Sequence, residues 1–275
     1  MSKLDQLKSQ LIAKDLWAKK SLGQNFLIDD EALAVIVDAA DLYEGDHVIE
    51  VGPGTGFLTE RLIQKAGKVT SVELDADMVE ILKEQFKLTP NLEVIHSDIL
   101  KTDIGKLAGD RYKVVANIPY YITSPVIRHF LQAVHRPKLM VLLVQKEVAE
   151  KMCAIGGKSF ITVETQVQGH AEYIATVPAN SFYPEPKVDS AVLKITVYPK
   201  PKVPDSELKD FLRIVKFGYS QKRKKLSNGL AAGLHIEAAE ARRLLGKADI
   251  PESARPEDLE VEDWKRLVSS LTNYI

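Results

Sequence analysis

Apolar residues follow two different spacings between residues 47 and 198 of this 275-residue chain. Short runs rich in Val and Ile, typical of buried strands, alternate with segments in which apolar residues recur every three or four positions, typical of amphipathic helices. This alternation predicts βαβ units around a mostly parallel sheet. The predicted strands are His47–Val51, Val69–Glu73, Leu92–Ile95, Tyr112–Ala116, Leu139–Gln145, Ala171–Val177 and Ala191–Val197. The predicted helices are Glu31–Ala40, Gly56–Lys65, Ala76–Phe86, Pro125–Ala133, Lys146–Met152 and Phe160–Gln168.

A proline-rich segment, Tyr198–Pro204, interrupts this pattern. Proline lacks a backbone donor and fixes φ, so this segment continues neither a helix nor a central strand. Beyond it, apolar residues recur at helical spacing only, in the ranges 206–217, 226–234, 238–245 and 259–271. We therefore predict an α/β domain at residues 1–199 and a small all-α domain at residues 205–275.

The composition indicates a folded protein of a reducing compartment. Hydrophobic residues make up 45% of the chain and charged residues 27%, which excludes a disordered or collagen-like chain. The single Cys153 cannot form an intrachain disulfide, and no apolar run approaches the ~18 residues that span a bilayer. We expect a soluble, cytoplasmic protein that does not contact membranes.

Basic charge is concentrated in one part of the chain. The 37 basic and 38 acidic residues nearly balance overall, yet the range 211–236 contains six basic residues and no acidic one. From residue 237 to the end, nine acids outnumber six bases. A local basic segment is typical either of a nucleic-acid contact or of a solvated helix face.

A glycine-rich turn, Gly52–Gly56, follows the first strand of the predicted sheet. Glycines permit positive φ and let a ligand approach main-chain N–H groups, so a nucleotide-like ligand is expected here. The third glycine of the dinucleotide fingerprint falls on Phe57, which weakens an NAD interpretation. Glu73 ends the second strand, where a carboxylate can accept hydrogen bonds from ribose hydroxyls. The alternative is a structural turn with a solvated Glu73.

Two further segments end at the same edge of the predicted sheet. Asp98 follows the third strand and can accept a hydrogen bond from an adenine amino group, although such residues often cap helices. Asn117 and Ile118 follow the fourth strand, and their amide oxygen and carbonyl can accept both N–H groups of an exocyclic amine, which localises the nitrogen lone pair. Tyr120 can stack on the base. The alternative is a strand-end turn with a packed Tyr120.

These residues together carry a family resemblance. The Gly52–Gly56 turn, Glu73, Asp98 and Asn117–Tyr120 resemble a class I S-adenosylmethionine-dependent methyltransferase of the adenine-N6 type. Two more segments, Lys20–Leu27 and Ser181–Ser190, make the chain similar to the KsgA family of small-subunit rRNA adenine dimethyltransferases, which is related to the Erm large-subunit methyltransferases. The resemblance runs from residue 20 to about residue 230. It implies a Rossmann-like α/β fold with a seven-stranded, mostly parallel sheet, plus the small all-α C-terminal domain.

The resemblance also implies site residues. The N-terminal segment 1–28 is expected to cover the cofactor site. Contacts to S-adenosylmethionine are implied for Asn25, Leu27, Gly52, Gly54, Gly56, Glu73, Asp98 and Asn117. Catalysis is implied for Asn117, Ile118, Pro119, Tyr120 and Phe182, with Tyr120 and Phe182 as an aromatic clamp on the target base. RNA contacts are implied for Lys222, Arg223, Lys224 and Lys225, where the family usually has more arginine. Because Cys153 and the six histidines show no metal-ligand spacing, no metal is expected.

We therefore expect methyl transfer from S-adenosylmethionine to N6 of two adjacent adenosines in the 3′-terminal hairpin of 16S rRNA. The expected partner is an immature small subunit during ribosome biogenesis, and the chain is expected to be monomeric. Three alternatives remain open. They are an Erm-type 23S rRNA methyltransferase conferring macrolide resistance, a non-catalytic RNA-binding assembly or transcription factor of the same fold, and, more distantly, an NAD dehydrogenase.

Overall fold

The chain forms two compact units. The computed structural model describes residues 2–154, 158–221, 223–271 and 274. The sheet unit comprises Met1–Ala149 and Glu172–Val197, and the helical unit comprises Glu150–Ala171 and Tyr198–Ile275. Within these described ranges, no helix combines the length and the apolar character needed to cross a membrane.

Seven strands form the main sheet, in the order β4-β3-β2-β5-β6-β9-β7. The five strands from β4 to β6 pair in parallel, and β9 pairs with β6 in the antiparallel direction. A separate two-stranded ladder joins β1 to β8. The strands are β1 (Phe26–Leu27), β2 (His47–Val51), β3 (Lys68–Glu73), β4 (Leu92–His96), β5 (Lys113–Asn117), β6 (Leu139–Gln145), β7 (Gly169–Val177), β8 (Phe182–Tyr183) and β9 (Ser190–Val197).

The helices connect these strands or follow them. Those of the first 152 residues are α1 (Lys3–Ala13), α2 (Asp30–Ala39), α3 (Phe57–Leu62), α4 (Ala76–Gln85), α5 (Ile104–Ala108), α6 (Thr123–Leu131) and α7 (Lys146–Met152). The later helices are α8 (Phe160–Gln168), α9 (Asp205–Gly218), α10 (Leu226–Leu234), α11 (Ala238–Lys247) and α12 (Val261–Ser270).

Local chemistry accounts for the element boundaries that surround the carboxyl edge of the sheet. The carboxylate of Asp29 accepts hydrogen bonds from the first main-chain N–H groups of α2, and Asp75 does the same for α4. Residues Leu139–Val144 of β6 are all buried, as expected for a strand covered on both faces. The two caps determine where α2 and α4 begin.

The structure confirms the predicted α/β architecture. All seven predicted strands are present, with bounds that differ by at most two residues. The helices α1 and α5 were not predicted, because α1 carries only two buried apolar residues, Leu7 and Leu11, and α5 is only five residues long. The predicted helix Gly56–Lys65 is shorter in the structure and ends at Leu62.

The helical unit has its own core around Trp264, which is fully buried. Val163 and Val167 of α8 belong to this core, together with apolar residues of α9 to α12. The sequence placed α8 in the first domain because it precedes β7 and β9 along the chain, but its buried face packs with the later helices. The boundaries 1–199 and 205–275 therefore stay a prediction about independent folding, and the structure adds α8 to the second unit.

Candidate functional site

A pocket of about 260 Å³ lies at the carboxyl edge of the main sheet. It is bounded by the turn after β2, the end of β3, the segments after β4 and β5, and part of the N-terminal segment. Ligands of open α/β sheets bind at this edge because the loops from neighbouring parallel strands diverge there. Among the described residues, no group of three or more His, Cys, Asp or Glu side chains is arranged to hold a metal ion.

The three glycines after β2 all have positive φ, at 66°, 58° and 90° for Gly52, Gly54 and Gly56. Gly52 and Gly54 line the pocket. Gly56 faces α4 instead, and a Cβ there would lie only 2.7 Å from the ring of Phe86. The structure thus brings two of the three predicted glycines to the pocket and places Gly56 in a packing position at the start of α3.

Glu73 is oriented by main-chain donors at the end of β3. Its Oε2 accepts a hydrogen bond from the Gly54 N–H at 3.1 Å, and its Oε1 accepts one from the Asp75 N–H at 2.8 Å. Burial raises the pKa of Glu73, and these N–H groups partly oppose that effect. The carboxylate therefore lies beside the glycine turn in a defined orientation, at the position predicted from the sequence.

Glu50 is a pocket-lining residue that the sequence analysis missed. Its Oε2 accepts hydrogen bonds from Ser71 at 2.6 Å and from Thr59 at 2.7 Å, whereas its Oε1 is buried with no partner among the described residues. Burial raises the pKa of Glu50 to about 7. The available signal was a lone acidic residue within the otherwise apolar end of β2, because ionisable groups are rarely buried without a partner.

Asp98 caps a short helix and also lines the pocket. Its Oδ1 accepts a hydrogen bond from the Leu100 N–H at 3.0 Å and so caps the short 3-10 helix Ile99–Lys101. The residue is half-buried and lines the pocket. A helix cap and a ligand acceptor are therefore compatible at this position.

The segment Asn117–Tyr120 lines the pocket along its whole length. The side-chain Nδ2 of Asn117 donates to the main-chain oxygen of Asn25 at 3.2 Å. This bond orients the amide and leaves Oδ1 with no donor among the described residues. The Tyr120 hydroxyl is hydrogen-bonded to Ser190 Oγ at 2.7 Å, and burial raises the pKa of Tyr120.

The N-terminal segment contributes one wall of the pocket. Among the described residues of the predicted cover 1–28, those that line the pocket are Leu22–Leu27, which include the predicted Asn25 and Leu27. Two of them form β1, in which Phe26 pairs with Tyr183 and Leu27 with Phe182. The upstream helix α1 packs its buried Leu7 and Leu11 into the core of the sheet unit.

Phe182 is not brought to the pocket. The side chain is 3% exposed and belongs to the core of the sheet unit, and the pocket lining does not include it. The pairing of β8 with β1 accounts for this position, because it places Phe182 opposite the buried Leu27. Of the two residues of the predicted clamp, the structure places only Tyr120 at the site.

Three predicted RNA-binding residues, Arg223, Lys224 and Lys225, form an exposed turn between α9 and α10, called the basic turn below. Lys222 lies outside the described residues. Arg223 has a φ of 69°, which is rare for a residue with a side chain. No acidic side chain of the described ranges lies within ion-pair distance of the basic turn. Other bases of the helical unit have such partners, in the pairs Arg213–Asp210, Arg242–Glu252, Arg243–Glu240, Lys265–Glu262 and Arg266–Asp263.

Comparison with known proteins shows the family. The model of the family described as ribosomal RNA adenine dimethylase matches residues 16–273. The chain belongs to this family. The match extends from the N-terminal segment through the pocket and the basic turn to α12, so it includes every candidate site residue described above.

Two curated relatives carry the name ribosomal RNA small subunit methyltransferase A. The protein from Dehalococcoides mccartyi is 44% identical over 97% of this chain and 92% of its own length. The protein from Alkaliphilus oremlandii is 38% identical over 98% of this chain and 99% of its own length. Both alignments cover at least 97% of this chain and therefore include the pocket and the helical unit.

Two solved structures share the fold. A dimethyladenosine transferase from Plasmodium falciparum superposes with a TM-score of 0.77 at 26% identity, covering 90% of this chain and 98% of that one. The 23S rRNA methyltransferase ErmE superposes with a TM-score of 0.72 at 29% identity, covering 90% and 99%. These similarities confirm the Rossmann-like methyltransferase fold that the sequence resemblance implied.

Proposed function

We propose that this protein transfers methyl groups from S-adenosylmethionine to N6 of adenosines in small-subunit rRNA, twice per base. The observation that carries the proposal is the Asn117–Tyr120 segment at the pocket, in which the amide nitrogen of Asn117 is engaged and its oxygen is left to accept. Family membership and the two relatives named for the small-subunit enzyme support the same substrate class.

The pocket fits S-adenosylmethionine, which carries an adenosine, an ammonium group and a methylated sulfonium. Glu73 is oriented to accept from ribose hydroxyls, and Asp98 supplies an acceptor for the adenine amino group. The buried Oε1 of Glu50 lacks a hydrogen-bond donor among the described residues, and a donor from the ligand satisfies it. When bound, the cofactor supplies an electrophilic methyl group. Its surroundings are completed by Asn25, Leu27, Gly52 and Gly54.

Asn117 and Ile118 prepare the target nitrogen. The lone pair of adenine N6 is delocalised into the ring, which makes the amine a poor nucleophile. Asn117 Oδ1 and the main-chain carbonyl of Ile118 accept its two N–H groups, localise the lone pair and aim it at the methyl group. Pro119 limits the flexibility of this segment because its φ is fixed. The methylated nitrogen then loses a proton to water.

Tyr120 supplies the stacking surface for the target base. The base must leave its own stack to reach Asn117, and stacking on an aromatic ring offsets this cost by about 1–3 kcal/mol. The hydrogen bond to Ser190 holds the Tyr120 ring in place. The sequence resemblance implied Phe182 as a second stacking face. Because Phe182 is buried opposite Leu27, we propose that it supports the β1–β8 ladder instead.

The basic turn is proposed to bind the RNA backbone, because Arg and Lys without acidic partners can neutralise phosphates. We propose two adjacent adenosines of the 3′-terminal hairpin of 16S rRNA, within an immature small subunit in the cytoplasm, as the target of a monomeric enzyme. The Erm-type alternative is less well supported, since ErmE is 29% identical and the small-subunit relatives are 38% and 44% identical.

The rate at which the Asn117→Ala variant methylates RNA tests the chemical role of this residue. Single-turnover rates on immature small subunits at saturating S-adenosylmethionine should fall about 100-fold, because the lost acceptor acts in the transition state. RNA binding should stay near the wild-type level. Asn228→Ala, an exposed position of α10, is the matched control and should methylate normally. A rate for Asn117→Ala close to that of the wild type contradicts the lone-pair mechanism.

The substrate is tested with two RNAs and the unmodified protein. Immature small subunits should be dimethylated at two adjacent adenosines, and deproteinised 23S rRNA should remain unmodified. Methylation of 23S rRNA alone establishes the Erm-type activity instead. Cofactor binding without methylation of either RNA supports a non-catalytic RNA-binding factor.

A further inference from the structure

The pocket wall formed by Leu22–Leu27 is held at three places in the sheet unit. At one end, β1 pairs with β8, and Ser181 Oγ donates to Asp29 at 2.7 Å just beyond it. In the middle, the main-chain oxygen of Asn25 accepts the hydrogen bond from Asn117. At the upstream end, the carboxylate of Asp75 holds the wall; the sequence pattern did not indicate a role for this residue.

Asp75 links the wall directly to the strand end that carries Glu73. Its Oδ1 lies 2.6 Å from Lys19 Nζ, and its Oδ2 accepts a hydrogen bond from Gln24 Nε2 at 2.8 Å. The side-chain oxygen of Gln24 in turn accepts a hydrogen bond from the Lys19 N–H at 2.8 Å, which closes the turn that leads into the wall. The main-chain N–H of Asp75 donates to Glu73 Oε1 at 2.8 Å. One residue therefore contacts both the wall and the candidate ribose acceptor.

The charges in this contact depend on one another. The Asp75 side chain is 2% exposed, whereas Lys19 is 37% exposed and also pairs with the half-exposed Asp77 at 2.6 Å. Hydrogen bonds from Lys19 to Asp75 and Asp77 raise the pKa of Lys19. A buried carboxylate that loses its cation is left uncompensated, so Lys19 is the partner that Asp75 needs most.

We propose that Asp75 is a positioning residue for cofactor binding, which holds the Leu22–Leu27 wall against the glycine turn through Lys19 and Gln24. The identity of the ligand rests on the proposed function. Without this attachment, the attachments at Asn25 and at β1 remain, and the upstream end of the wall loses the contacts that fix its position. Ligand binding must then order that end of the wall, and the conformational entropy lost in doing so lowers the affinity.

The expected effect falls on affinity and spares the chemical step. Asn117, which is proposed to act on adenine N6, is held by its hydrogen bond to the Asn25 main-chain oxygen, and we expect it to keep that bond when Lys19 is changed. KM for S-adenosylmethionine should therefore rise while kcat at saturation stays within about twofold of the wild type. A loss of stability alone lowers the fraction of active protein and so lowers kcat without raising KM.

Lys19→Met and Asp75→Asn in the full chain test the proposal. Asp75→Asn retains an oxygen that can cap α4, so the helix start should be preserved. Calorimetry with S-adenosylmethionine and with S-adenosylhomocysteine should show affinity lowered about tenfold, or about 1.4 kcal/mol. Amide hydrogen exchange of residues 19–25 in the ligand-free protein should become faster. Lys19→Arg keeps the charge and should restore most of the affinity.

Lys14→Met is the matched control, because Lys14 also joins the N-terminal region to α4, through Glu84 at 2.9 Å, but upstream of the wall. It should bind the cofactor like the wild type. Wild-type affinity and unchanged exchange in both Lys19→Met and Asp75→Asn overturn the proposal, as does a fall in kcat with unchanged KM. Failure of the proposed function is a separate result, since the wild-type protein then binds no cofactor or methylates no rRNA.

Discussion

Single carboxylates decide the electrostatics of the pocket. Glu50 is the penultimate residue of β2, Glu73 ends the neighbouring β3, and both are buried, yet their hydrogen bonds differ. Glu73 receives hydrogen bonds from two main-chain N–H groups. Glu50 receives hydrogen bonds from two hydroxyls on one oxygen, and its other oxygen has no donor in the part of the chain that the structure describes. The pKa of Glu50 rises to about 7 because burial outweighs the hydroxyl donors. A residue with this pKa makes stability depend on pH near neutrality.

Glu50→Gln should remove a pH dependence of the ligand-free protein. The folded-state pKa of Glu50, about 7, lies above the ordinary value of 4.5, so the folded state binds more protons between these pH values. The wild type therefore loses stability as pH rises from about 4.5 to 7, and the neutral amide does not. The variant should gain on the order of 3 kcal/mol relative to the wild type across this window. Urea unfolding at several pH values measures the difference.

The exposed Glu44→Gln is the control for this series, and its difference from the wild type should stay flat with pH. If the free energy of unfolding of Glu50→Gln also differs from that of the wild type by the same amount at every pH, Glu50 is already ionised in the folded protein.

Glu50→Gln should also bind S-adenosylmethionine more weakly, because the amide places a hydrogen-bond donor where the proposed ligand also offers a donor.

At the scale of elements, the β1–β8 ladder joins segments separated by more than 150 residues and determines where Phe182 lies. Two-residue strands have no stability of their own, so this ladder depends on the side chains buried beneath it. Phe26, Leu27 and Phe182 are all buried in one core. The ladder therefore connects the Leu22–Leu27 wall to the segment before β9 through packing.

Phe182→Ala should lower the free energy of unfolding by about 3–5 kcal/mol, the usual cost of deleting a buried aromatic ring. Phe182→Leu fills most of the space and should retain both the fold and most of the methylation rate. Denaturant unfolding and single-turnover methylation measure the two effects. If Phe182→Leu is as stable as the wild type but no longer methylates RNA, Phe182 acts in the aromatic clamp that the sequence resemblance implied.

The basic turn is the element on which RNA affinity should depend most. Replacing Arg223, Lys224 and Lys225 together by Gln should reduce the slope of log affinity against log salt by about 2 to 3, because up to three fewer counterions are released. Filter binding to the 3′-terminal hairpin at several salt concentrations measures the slope. The control replaces Arg242, Arg243 and Lys265, which already have acidic partners. Equal slopes for both triple variants place the RNA contact elsewhere.

At the scale of the whole molecule, chain order and packing order differ. The helix α8 precedes two strands of the main sheet, yet Val163 and Val167 are buried in the core around Trp264. The proline-rich segment 198–204 marks the end of β9 correctly, but the helical unit begins in three dimensions with Glu150. A chain boundary inferred from proline content is a local feature, whereas membership of a core depends on contacts between distant segments.

The sequence by itself determined the features that depend on neighbours along the chain. Apolar spacing specifies the strands and most helices. The glycine turn, Glu73, Asp98 and Asn117 lie at or just after the ends of strands whose parallel order brings those ends to one edge. Only the tertiary structure decided the burial of Phe182, the pKa of Glu50 and the contact between Lys19 and Asp75, which are 56 residues apart. Burial and ion pairing depend on which distant segments pack together, and the spacing of apolar residues along the chain does not specify that packing.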